Sequence, residues 1–215
     1  MPKMLGSKHQ HMRERIAQLA ARLIAEDGIG DYALAKRKAA RQIGAADTQN
    51  LPANSEIEQA LRIFQNLYQK EEQAARVREL REQALVTMRL LERFNPCLTG
   101  EVLSGTAARH SGINLHLFAE SIKEVELFLL NRQMEYRQGE KYFHFGDMQR
   151  SVPTLTLTGG EAPVELAVFA VDDSRQSPRS PVDGKPMERI KIRQVEGLLE
   201  RDGRMGDGLP EAGAL

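Results

Sequence analysis

The spacing of apolar residues changes once along this chain, and that change limits what it can fold into. Up to about residue 93 they recur at three and four; beyond Pro96 they alternate. Helices followed by strands in that order predict an α+β fold. The expected parts are a helical region over 1–93, a mixed sheet with flanking helices over 94–171, and a tail over 172–215.

In the first part, Ile16, Leu19, Ala20, Leu23 and Ile24 form one apolar stripe of an amphipathic helix. The breaker "EDGIGD" separates it from "YALAKRKAARQIG", where Gly44 suits a helix C-cap. Ser55 and Glu58 have capping-box spacing ahead of Ile57, Leu61, Phe64 and Tyr68 on one face. A long helix follows, with Val77, Leu80, Ala84, Met88 and Leu91 on its packing side, and the helical part stops at Asn95-Pro96.

In the second part, "CLTGEVL" and "INLHLFAE" are strand candidates, the latter alternating Ile113, Leu115, Leu117 against Asn114, His116, Phe118. Ser121 and Glu124 offer a second capping box for a helix through Ile122, Val125, Phe128 and Leu129. "EYRQGEKYFHFG" reads as a hairpin, and "VPTLTLTG" and "VELAVFAV" as two further strands. Beyond Val171 comes a loop, then one possible helix in "MERIKIRQVEGLLER". The last fifteen residues are Gly-rich with little to bury, so disorder is expected there.

Lys plus Arg and Asp plus Glu both number 30, so no global field recruits nucleic acid or an anionic membrane. No apolar run approaches the roughly 18 residues of a membrane span, and the start of the chain has no apolar core like that of a signal peptide, so a cytoplasmic chain is expected. Cys97 has no partner for a disulfide and reads as a core residue. His9 and His11 show no metal-binding spacing and read as part of an N-terminal tail.

Chemistry concentrates in "GEVLSGTAARHSGINLHLF", residues 100–118, where a glycine-bounded turn lies between the first two strand candidates. It resembles the signature of the DNA polymerase beta-like nucleotidyltransferase superfamily: Gly-Ser after one strand, a second glycine, then Asp-x-Asp on the next strand. Gly100 and Gly105 match the glycines, and Ser111, Ile113 and Leu115 match scaffold positions. The reactive positions differ. Glu101 stands at the phosphate-binding Ser, Gly112 at the first metal-binding Asp, and Asn114 at the second. Glu165 in "PVELAV" falls where the third carboxylate is expected. The whole chain also resembles proteobacterial proteins that join a helical N-terminal region to such a domain.

The resemblance implies a nucleotide-binding scaffold, residues 94–171, that has lost its catalytic metal site. Two-metal nucleotidyl transfer needs carboxylates to hold Mg²⁺ ions roughly 3.5–4 Å apart. Gly112 has no side chain, Asn114 is neutral, and Glu101 repels a triphosphate. The expected function is a nucleotide- or partner-binding module, with Gly100, Glu101, Gly105 and Arg109 as the phosphate-side residues and His110 beside Arg109 in the same turn. The enzyme alternative is a transferase using Glu165 with non-standard ligands, His116 among them, or Glu101 and Glu120 around one cavity. Mg²⁺ enters only if that activity survives. A third reading has the helical half bind RNA or a protein through Arg37, Lys38 and Arg41, although that run lacks the interleaved aromatics of a nucleic-acid surface.

Overall fold

A computed structural model describes residues 3–46, 48, 50–68, 70–108 and 110–206. It is a mixed α+β protein. Helices α1 (Lys3–Asp27), α2 (Tyr32–Gln42) and α3 (Asn54–Tyr68) pack together around Ile16, Ala20, Ala35, Ala39, Ile57 and Leu61. Alanines on α1 and α2 let the helix axes approach closely. Asp31 starts α2 by accepting from the backbone N–H of Ala33 at 2.7 Å and of Leu34 at 3.3 Å. Gly44, at φ +73°, ends it in a Schellman turn, with Ala45 N donating to Ala40 O at 2.8 Å.

Helix α4 (Lys70–Leu90) leads through a 3₁₀ turn, Glu92–Phe94, to β1 (Cys97–Thr99). Then come α5 (Glu101–Ser104), β2 (Ile113–Phe118), α6 (Ile122–Leu130), β3 (Tyr136–Phe145), β4 (Met148–Leu157), β5 (Val164–Phe169) and α7 (Ile192–Gly206). The five strands form one sheet in the order β1-β2-β5-β4-β3, in which only the β2–β5 pair is parallel.

Alternation gives the sheet two faces. Leu98, Ile113, Leu115, Leu117, Leu155, Leu166 and Val168 point to one, under α4, α6 and α7, and make the main core with Leu80, Met88 and Leu91. Cys97, Phe118, Phe143, Val152, Ala167 and Phe169 point to the other. No helix among the described residues contributes to the buried cluster on that face. Residues 176–190 cross over it as a strap, with a bridge between Arg179 and Pro186. Its end joins the sheet edge, where Leu98 and Ile190 exchange backbone hydrogen bonds at 2.9 and 3.0 Å.

Several local expectations need correction. "EYRQGEKYFHFG" is not a hairpin but the single strand β3; the turn is Gly146-Asp147, Gly146 at φ +61°, with Phe145 opposite Met148. Ser121 takes the N-cap position of α6, yet its side chain makes no capping bond. Helix α3 begins two residues earlier than the Ser55 box implies, and Glu56, not Glu58, reaches back to the N–H of Ala53 at 2.6 Å. Tyr68 is 73% exposed while Gln65 is buried on its helix. "CLTGEVL" is a three-residue strand running into a short helix. The final helix starts at Ile192, after an extended run through Ile190. Much of the expected disordered end lies outside the described residues. No helix among the described residues is long and apolar enough to cross a membrane.

Candidate functional site

The strap, the N-termini of α2 and α3, the turn after β1 and the open face of the sheet enclose a cavity of about 740 Å³. Its floor is a row across three strands: Thr99 lies opposite Asn114, and Asn114 opposite Glu165. The next row holds Cys97, His116 and Ala167. Asn114, His116 and Glu165 therefore share one face, as alternation requires.

The turn after β1 brings the chain close to this row. Gly100 has φ +75°, ψ −152°, a conformation open to glycine, and a Cβ there would sit 3.2 Å from the Asn114 amide nitrogen. Gly105, φ +77°, ends α5. Three long side chains from the preceding helices fix the turn. Buried Arg81 donates to Val102 O at 3.1 Å and Leu103 O at 3.0 Å, and its third nitrogen pairs with Asp202 of α7 at 2.8 Å. Gln73 donates to Gly105 O at 2.6 Å and Gln65 to Thr106 O at 3.2 Å. Backbone carbonyls that helix and sheet leave unpaired are thereby satisfied.

Each expected site residue has a definite setting. Glu101 lines the cavity and accepts from the Ser111 hydroxyl, which in turn accepts from Ala108 N–H at 2.9 Å, so this carboxylate closes the loop. Glu165 forms an ion pair with Lys141 of β3. Gly112 has no room for the carboxylate its resemblance calls for: a Cβ there would lie 2.9 Å from the Pro163 carbonyl oxygen. Among the described residues the Asn114 carboxamide has no hydrogen-bond partner. Thr99 is 1% exposed, and its Oγ1 is likewise without a partner. Glu120 is exposed beyond the far end of β2, away from the cavity. His110 packs against Gly28 of the α1–α2 loop. Arg109 lies outside the described residues, as does the side chain of His9.

His116 is a packed core group, not a surface residue. It is 2% exposed between Phe143 and Phe169, with ring centroids at 5.4 and 4.6 Å, and its Nδ1 accepts from Arg189 Nε at 2.9 Å. Burial first, then the charges of Arg189 and Lys141, push its pKa down to about 3, so it is neutral. Arg189, at the base of the strap, also donates to Asp173 O and Gln176 O and lies over the rings of Phe118 and Phe169 at 5.1 Å. Burial raises the Tyr32 hydroxyl, and Glu58 and Glu101 raise it further, so the phenol on the cavity wall stays a hydrogen-bond donor.

The Mg²⁺ pair that the resemblance implies does not fit these donors. Gly112 offers nothing, Asn114 a neutral oxygen, and Glu165 is held by a lysine. Among the described residues no three His, Cys, Asp or Glu side chains are grouped to hold a metal ion.

The basic run on α2 lies elsewhere. Arg37 and Arg41 are exposed, and Lys38 is paired with Asp27 at 2.7 Å. Sequence reasoning missed Gln65, Gln73, Arg81 and Arg189. Gln65 lies four residues after Leu61 and Arg81 four after Val77, so each is a polar residue within an apolar stripe, a signal the sequence does carry, whereas the carbonyls and rings that these side chains meet are distant in sequence. No protein-family model, no curated protein and no solved structure matches this chain.

Proposed function

We propose that this chain is a binding module on a nucleotidyltransferase-type scaffold. It takes a nucleotide-class ligand in the cavity beneath the strap and does not perform two-metal nucleotidyl transfer. The observation that carries this reading is the Thr99–Asn114–Glu165 row: where the resemblance would put metal ligands, the open face presents an amide unpaired among the described residues and a lysine-bound carboxylate. The cavity is of a size that suits a small organic ligand. Its glycine turn is held rigidly by Arg81, Gln73 and Gln65, which is the preorganisation a binding site needs. Pairing of Lys38 with Asp27 weakens the rival basic surface on α2.

Thermal-shift measurements with nucleosides, nucleoside monophosphates and triphosphates, each with and without Mg²⁺ or Mn²⁺, test this directly. A ligand in hundredfold excess over its Kd stabilises the native state by about 2.7 kcal/mol. The expected outcome is a rise in Tm that does not depend on the metal. No shift with any of these compounds overturns the reading.

A further inference from the structure

We infer that the cavity selects the uncharged nucleoside portion of its ligand and rejects the polyphosphate. This inference rests on the nucleotide-class reading above and goes beyond it by naming the part that is recognised.

Two groups on the cavity floor ask for a neutral hydrogen-bonding partner. Among the described residues the Asn114 carboxamide has both its oxygen and its NH₂ without a partner, one acceptor and donors side by side. Beside it, Thr99 Oγ1 is buried without a partner. Leu98 points into the helix-covered core, so its neighbour Thr99 points to the open face, toward the cavity it lines. A buried hydroxyl left unpaired is unfavourable, and a ligand atom that pairs with it removes that cost. An amide-like edge of a base or a sugar hydroxyl offers the matching donors and acceptors. Leu103, Phe143 and Met187 supply apolar wall for a ring.

Polyphosphate meets the opposite conditions. The free N–H groups at the start of α2 are already taken by Asp31. Lys141 is taken by Glu165. The other lining cation, Arg179, shares the cavity wall with the carboxylates of Glu58, Glu101 and Glu188. Among the described residues no cluster of metal ligands recruits counter-charge, so a triphosphate enters a field of its own sign.

The test is calorimetry on the full chain without divalent metal, using adenosine, guanosine, cytidine and uridine against their own triphosphates. At least one nucleoside is expected to bind at least about tenfold tighter than its triphosphate at low ionic strength, with the gap narrowing as salt screens the carboxylates. Thr99→Val keeps the volume and removes the unpaired hydroxyl. The ligand-free variant should melt at the same temperature or higher, yet bind the nucleoside several-fold to about tenfold more weakly. A purely structural threonine would not separate the two. Asn114→Ala should weaken binding by a similar factor with its circular dichroism unchanged. A triphosphate that binds as tightly as its nucleoside, or tighter, overturns this inference and leaves the nucleotide-class reading standing. Unchanged affinity in Thr99→Val also overturns the inference. Failure of every nucleoside and every triphosphate to bind overturns both.

Discussion

On the helix-covered face of the sheet, Ile113, Leu115, Leu117, Leu155 and Leu166 are fully buried in a continuous aliphatic core. One residue along the same strands, on the opposite face, stand Asn114, His116 and Glu165: a free amide, an imidazole locked to an arginine, and an ion-paired carboxylate. The chain order is the same and the backbone register is shared, so the difference comes from what lies over each face. Helices bring long apolar stripes and close-pack the first. A strap brings backbone, two arginines and acidic side chains, and leaves a cavity on the second. Stability should therefore reside on one face and ligand selection on the other.

Truncation of the core gives the largest effect. Leu166→Ala removes a fully buried side chain from the core on the helix-covered face, and urea denaturation should show a loss of about 3–4 kcal/mol. Asn114→Ala, across the sheet, should change stability by less than about 0.5 kcal/mol in the same assay. Comparable losses in the two variants would break the division of labour.

The next effect is one of pH. His116 titrates near 3 in the folded chain against an ordinary 6.5. Between those values the unfolded chain binds the extra proton, so stability rises with pH through that window. It is complete above about pH 6.5 and declines as pH falls toward 3, by at most about 1.4 kcal/mol per unit. From pH 7 to pH 5 the expected loss is about 2 kcal/mol, measured as a shift in the urea midpoint. His116→Gln, which retains an acceptor for Arg189, should flatten most of that slope.

A smaller effect belongs to the strand entrance. Gly112→Ala places a Cβ against the Pro163 carbonyl, the acceptor of the Ile113 N–H bond at 2.9 Å. The expected cost is about 1 kcal/mol or somewhat more, with the β2–β5 register intact. A neutral substitution would mean that the position does have room for the side chain the superfamily carries there.

The helix-covered face was legible in the sequence because its signal is local. Ile113, Leu115 and Leu117 alternate within one strand, and Val77, Leu80, Ala84 and Met88 repeat within one helix. The open face was legible only in part. Alternation put Asn114, His116 and Glu165 together, and the glycines at 100 and 105 marked the turn. It could not show that His116 is buried, because its partner Arg189 is 73 residues away on a strap with no periodic signal. Nor could it show that Lys141 neutralises Glu165, since β4 separates their strands. The segment "EYRQGEKYFHFG" reads as a hairpin, but ten-residue pairing with β4 carries one strand through Gly139 and puts the turn at Gly146.

On the proposed reading, the chain holds its ligand without transferring it. Incubation of the purified chain with each of the four labelled ribonucleoside triphosphates tests it most directly, with Mg²⁺ or Mn²⁺ and with itself, a protein mixture or RNA as acceptor. No labelled product is expected under any of these conditions. Labelled product that disappears in Glu165→Ala would contradict it, by showing that the lysine-bound carboxylate still serves a metal.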